Sequence, residues 1–131
     1  MDNFRLQIIT PERIFFDGDA YMVEFNTTEG EIGVYANHIP LTCIIKPGIL
    51  TIRMDGEEKE AALHSGFVEI LPDKVTILAE VIEWPEEIDL HRAEAAMERA
   101  KERIAHRTSD TDIARAETAL MRAMARITLI K

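Results

Sequence analysis

Apolar residues alternate with polar ones along the first two-thirds of the chain and recur every three or four positions along the last third. A period of two is that of a strand with one buried face, and a period near 3.6 is that of an amphipathic helix. Phe4 to Ile9 alternates and stops at Thr10-Pro11. Ile14-Phe15-Phe16 runs into Asp17-Gly18, and Tyr21, Val23 and Phe25 alternate ahead of Thr27 to Gly30. Ile32 to Tyr35, Leu41 to Ile45 (ending at Pro47-Gly48) and Ile49 to Met54 (ending at Asp55-Gly56) follow. Asp-Gly is a strong two-residue hairpin signal. Glu60 to Leu63, Gly66 to Leu71 and Val75 to Val81 complete the series, with Pro72-Asp73 as a further turn. So many short strands without a helical stretch predict an antiparallel sandwich or barrel.

The period changes after Trp84-Pro85. Leu90, Ala93, Met97, Ala100 and Ile104 fall on one stripe of a helix that Asp89 can cap. Ile113, Ala116, Leu120, Ala123, Ile127 and Ile130 form a second stripe. His106 to Asp110 breaks the pattern between them, and Ser109 with Asp112 three residues on resembles a capping box. Two seams of one spacing joined by a short loop predict an antiparallel helical hairpin whose alanines let the helices approach closely. An alanine seam buries little area, while Ala, Glu, Arg and Lys keep each helix intrinsically stable. Such a hairpin can open as a switch or dock permanently on the β domain, and periodicity leaves both readings standing.

Charge divides along the same boundary. Residues 1–85 carry 15 acidic against 6 basic side chains, residues 86–131 carry nine of each, and the net charge of −9 therefore sits in the β region. Such a surface repels phosphate backbones and anionic head groups, so the expected partners are proteins, with no nucleic acid and no direct membrane insertion. No secretory signal pattern and no long apolar run is present. Cys43, flanked by Leu41, Ile44 and Ile45, reads as a packed strand residue. The histidines lack metal-ligand spacing, and phosphate-binding glycine loops and nucleophile-elbow motifs are absent, so no catalytic residue and no metal site is expected.

The run from Glu29 to Leu41, with Lys46-Pro47-Gly48-Ile49-Leu50, Ser65 to Ile70 and Val75 to Ala79, resembles the epsilon subunits of bacterial F-type ATP synthases, in the family's order and over essentially the whole chain. Ala36-Asn37 stands where the family usually has Pro-Gly, and Asn tolerates the left-handed conformation such a turn requires. The resemblance implies an α+β protein: an antiparallel β-sandwich over residues 1–84, followed by a C-terminal antiparallel two-helix hairpin over residues 85–131. It also implies a non-catalytic rotor subunit, peripheral on the cytoplasmic face of the bacterial plasma membrane. Its sandwich would bind the gamma subunit and stand on the membrane ring of proton-carrying subunits, which Glu31 and His38 would face. Its helices would lie folded on the sandwich or extend toward the catalytic alpha and beta subunits and block rotation.

Ile88-Asp89-Leu90-His91-Arg92-Ala93 matches a short motif linked in this family to ATP binding. Arg92 and Arg99 share one face of the first helix, Arg122 and Arg126 one face of the second, and a triphosphate would supply charge to converging guanidiniums. The resemblance implies an ATP site made of Glu83, Ile88, Asp89, Arg92, Ala93, Arg99, Arg122 and Arg126, with ATP a regulatory ligand that magnesium accompanies and no prosthetic group. The alternatives are arginines paired with Glu94, Glu98 or Glu117 in a purely structural rotor-coupling subunit, and an unrelated β-sandwich enzyme.

Overall fold

The computed structural model describes residues 2–108 and 112–131. Eight strands precede the helices: β1 (Phe4–Ile9), β2 (Ile14–Ala20), β3 (Met22–Thr27), β4 (Gly30–Tyr35), β5 (Leu41–Ile45), β6 (Gly48–Met54), β7 (Glu57–Ile70) and β8 (Lys74–Glu83). A 3-10 turn over Pro85–Glu87 leads into α1 (Leu90–Ala105), and α2 (Ile113–Ile130) returns antiparallel beside it. The sheet runs β2-β1-β8-β7-β5-β3-β4, and β6 bridges β7 and β3 at the other end. All pairings are antiparallel except that between β1 and β8, which is parallel.

The alternating residues of the strands supply the interior. Leu6, Ile8, Val23, Phe25, Leu50, Ile52, Val68, Ile70 and Ile77 are fully buried, and the core cluster contains no residue of either helix. The sandwich therefore owns its core. Two differences from the sequence pattern have physical causes. Asp17-Gly18 is not a turn but lies within β2 opposite Leu6 and Gln7, where Asp17 takes two hydrogen bonds from the Arg5 guanidinium (3.1 and 2.9 Å). The segments Glu60–Leu63 and Gly66–Leu71 are one strand, because register shifts between Leu63 and Gly66 insert a bulge instead of a break. The bulge turns the core-facing set from odd positions (Ala61, Leu63) to even ones (Val68, Ile70).

Asn37 has a φ of 66°, the left-handed conformation its sequence context requires, and its N–H donates to the Pro72 carbonyl (2.7 Å). Cys43 lies half-buried in β5, where desolvation pushes its thiol pKa up, as suits packing rather than nucleophilic attack.

The helices meet through alanine. Ala93 and Ala100 of α1 and Ala116 and Ala123 of α2 are buried at the seam positions. Asp89 caps α1 by accepting from the Arg92 N–H (3.2 Å), and Asp112 does the same for α2 from Arg115 (3.0 Å). Asp112 is thus itself the cap, whereas Ser109, expected in that role, lies outside the described residues. Among the described residues α2 is the helix that packs on the sheet, against β6 and β7. It covers the face of β7 opposite to Leu63, where Ala62 and His64 are fully buried yet contribute nothing to the sandwich core.

Gly66 is the position on which the bulge depends. Its φ is +139°, and a Cβ there would collide with the Leu78 carbonyl oxygen. Gly66→Ala is expected to destabilise the sandwich by on the order of 3 kcal/mol or more. Urea denaturation followed by far-UV circular dichroism measures this, and a midpoint like that of wild type would contradict it.

Candidate functional site

The neck between sandwich and hairpin is rigid for local reasons. The Trp84 ring stacks on Phe15 (4.1 Å between centroids), and the Trp84 backbone N–H donates to Glu87 Oε1 (2.9 Å). Pro85 opens the short turn, and the Ile88 N–H closes it on the Pro85 carbonyl (3.2 Å). The chain then enters α1 at the Asp89 cap. This path wraps a concave surface, and α2 closes its far side. The resulting cavity of about 300 Å³ is lined by Glu83, Ile88, Asp89, Arg92, Ala93, Arg99 and Arg126, together with Glu87 and Ala96.

Seven of the eight residues expected at an ATP site therefore line one cavity. Arg122 does not. Its Nη2 donates to Ser65 Oγ on β7 (3.2 Å), and it lines an adjoining cleft of about 560 Å³ with Arg115 and Thr118. The two clefts share Ala96 and Arg126. Three carboxylates, Glu83, Glu87 and Asp89, stand in the same wall.

Each of those acids is already engaged. Glu87 holds Arg13 (2.7 and 2.8 Å), Asp89 caps its helix, and Glu83 accepts from Arg126. Glu94 and Glu98 face Lys131 and Lys101 instead of arginines (3.8 and 4.0 Å). Among the described residues no carboxylate lies within ion-pair distance of Arg92, Arg99 or Arg122. Uncompensated positive charge thus remains along the α1 wall, where an anion would be attracted.

Glu83 joins the two parts of the molecule. Its Oε1 accepts from Arg126 Nε on α2 (2.7 Å) and from His64 Nε2 on β7 (2.8 Å). The spacing of residues did not disclose His64, because only the β7–β8 register and the bulge bring its ring to Glu83. Burial is the main cause that lowers the His64 pKa from 6.5, helped by the charges of Arg126 and Arg122, with the Glu83 hydrogen bond acting the other way. Burial alone would raise the Glu83 pKa. The hydrogen bonds from His64 and Arg126, with their charges, outweigh it and hold the carboxyl below its usual 4.5. No group of His, Cys, Asp and Glu able to hold a metal occurs among the described residues.

A second surface lies on the other half of β7. Leu78, Phe67 and Ile44 are paired across β8, β7 and β5, and all three are exposed (39%, 47% and 63%). Ile9 pairs with Leu78 from β1, so an apolar row crosses four strands. Glu31 is exposed at the start of β4, while His38, half-buried, lies beyond its end and donates from Nδ1 to the Ile39 carbonyl (2.6 Å). Four residue steps of β4, from Glu31 to Tyr35, span roughly 13 Å at the usual strand rise.

Both His64 and Glu83 have pKa values depressed by folding, so the folded state binds fewer protons than the unfolded one. Their contribution is complete above 6.5 for His64 and above 4.5 for Glu83, and is lost as pH falls below each value. The melting temperature is expected to drop between about pH 7 and about pH 5, and His64→Gln should flatten that part of the profile. Differential scanning calorimetry across this range checks it, and parallel profiles for both proteins would contradict it.

Comparison with known proteins matches two family models in succession along the chain. Residues 3–85 match the family model "ATP synthase, Delta/Epsilon chain, beta-sandwich domain", and residues 86–131 match "ATP synthase, Delta/Epsilon chain, long alpha-helix domain". The ATP synthase epsilon chain of Ruminiclostridium cellulolyticum is 45% identical over 128 residues, which cover 98% of this chain and 96% of that one. That of Brevibacillus brevis is 44% identical, with both chains covered completely. A chain in the Euglena gracilis mitochondrial ATP synthase structure shares the fold (TM-score 0.83, 22% identity, 94% of this chain and 78% of that chain covered). With both halves matched in order and such relatives along its full length, the chain belongs to the ATP synthase delta/epsilon chain family.

Proposed function

We propose that this chain is a regulatory, non-catalytic subunit of the rotor in a proton-translocating ATP synthase, and that it binds ATP between its sandwich and its helical hairpin. The observation that carries the reading is the cavity at the neck, where the motif residues Ile88, Asp89, Arg92 and Ala93 face Glu83 and Arg126. A ligand there touches the sandwich end, α1 and α2 together, so it stabilises the folded hairpin by mass action. Arg92 and Arg99 supply charge for phosphate groups, and Arg126 stands on the wall shared with the Arg122 cleft. Magnesium would travel with the nucleotide and be held by its phosphates, since no carboxylate cluster is available for the ion among the described residues.

The apolar row through Phe67 is a docking face suited to the gamma subunit, because a contiguous exposed apolar patch on an acidic domain favours a protein partner. Glu31 and His38 would address the polar loops of the membrane ring. No helix of the described residues is long and apolar enough to cross a membrane, and we place the chain peripherally on the cytoplasmic face of the bacterial membrane through these partners. When the hairpin opens, α1 and α2 would reach the catalytic alpha and beta subunits and hold back ATP hydrolysis. The purely structural alternative draws on the Glu83–Arg126 pair, which docks α2 without any ligand.

Titration calorimetry with ATP separates the two readings. Arg92→Ala, Arg99→Ala and Arg126→Ala should each remove about 1.5–3 kcal/mol of binding, roughly ten- to a hundred-fold in affinity, and Arg103→Ala should remove little. Absence of heat and of a melting shift with wild type at millimolar-range ATP leaves the structural reading. For the switch, the purified chain added to an epsilon-depleted ATP synthase head should lower ATP hydrolysis. A chain ending at Trp84, which retains every residue of the core cluster, should bind without inhibiting. Equal inhibition by both would sink the switch.

A further inference from the structure

His64 is completely buried, yet its second ring nitrogen, Nδ1, has no hydrogen-bond partner among the described residues. Burying that nitrogen unmatched is a cost that an apolar side chain would not carry. What the ring does is directional. Its Nε2–H binds Glu83 Oε1, the same oxygen that accepts from Arg126 Nε. Two donors on one oxygen fix the rotation of the carboxylate. They leave Glu83 Oε2 without a hydrogen bond among the described residues, on a side chain that lines the cavity. Arg126 gains in turn, because anchoring through Nε leaves its outer N–H groups for the cavity it lines.

We infer that His64 is a positioning residue of the neck cavity, which clamps Glu83 so that its free carboxylate oxygen meets an N–H donor on the base edge of a bound nucleotide. The inference rests on the nucleotide reading above. The groups facing His64 are Glu83 from β8 and Arg122 and Arg126 from α2. Of these only the carboxylate can accept the Nε2 proton, so the clamp has one geometry. A site built to pair a donor discriminates against a ligand that lacks it, since the acceptor is then left buried and unmatched. His64 itself touches no ligand, so its removal should alter which nucleotide is preferred more than whether the hairpin folds.

The test compares ATP with purine riboside triphosphate, which is ATP without its exocyclic amino group, by titration calorimetry on the full chain. Wild type should prefer ATP by roughly tenfold or more. His64→Leu should reduce the preference to within about threefold while keeping the circular dichroism of the fold, and His64→Gln, whose amide N–H occupies the place of Nε2–H, should restore most of it. If the preference in His64→Leu equals that of wild type, or if wild type shows none, the positioning role is overturned while ATP binding stands. If His64→Gln loses as much as His64→Leu, the effect is packing, and the role is again overturned. If wild type binds neither nucleotide, the nucleotide reading and the positioning role fall together.

Discussion

The Glu83 carboxylate, at the last residue of the last strand, carries the charged link between the sandwich and α2, beside which Arg122 adds a bond to Ser65. Its Oε1 binds a histidine of the sandwich and an arginine of α2. The apolar contribution to that junction is small, because the buried residues of α2 are Ala116, Ala123 and Ala125. A charge-assisted bond at a side chain about a quarter exposed contributes on the order of 1–3 kcal/mol, less than a fully buried pair would and more than a surface pair. Polar contacts at one end of β8 therefore decide as much as packing whether the hairpin lies on the sheet.

The order of contacts gives the hairpin a hierarchy. The sandwich holds α2, and α2 holds α1 through the alanine seam, whereas the chain itself ties α1 to the neck. Loss of the Glu83–Arg126 pair would weaken the hold of the sheet on both helices, leaving the Arg122–Ser65 bond and the packing over Ala62 and His64. Loss of the seam would free them from each other while each keeps its own cap, Asp89 or Asp112. The neck cavity is walled by all three parts, so a ligand there opposes both separations at once. That geometry makes the cavity a place where occupancy and helix position are linked thermodynamically.

Much of this was legible in the sequence because it is periodic or local. Alternation marked the sandwich strands, the three-four spacing marked both helix seams, and Asp89 capped its helix as its position suggested. The Ile88-Asp89-Leu90-His91-Arg92-Ala93 run ends up beside Glu83 because a short turn and a helix start have few conformations. What escaped depends on register and on distance along the chain. Arg122 shares a helix face with Arg126, but it turns to Ser65, and no spacing rule reports which strand residue waits beneath a helix. His64 resembled a stray histidine until pairing of β7 with β8 brought it to Glu83. Asp17-Gly18 looked like a turn, but it pairs with Gln7 and Leu6 inside β2, where the Arg5 guanidinium reaches diagonally to Asp17.

The strand β7 explains why the protein can have two surfaces without two domains of sheet. Its first half pairs with β6 and lies under α2, and its second half pairs with β5 and carries the exposed Phe67 row. The bulge between Leu63 and Gly66 is what divides them. By shifting the core-facing set from odd to even positions, it lets His64 sit beneath the helix and Phe67 point to solvent while Leu63 and Val68 both stay in the core. Without the bulge, strict alternation along the strand would give His64 and Val68 the same face, and one of them would leave its environment. The glycine at the bulge, where any Cβ would collide with the Leu78 carbonyl, is therefore shared by the helix-facing and partner-facing sides of the sandwich. A distortion there would reach both the neck cavity and the apolar row, which lie on opposite halves of one strand.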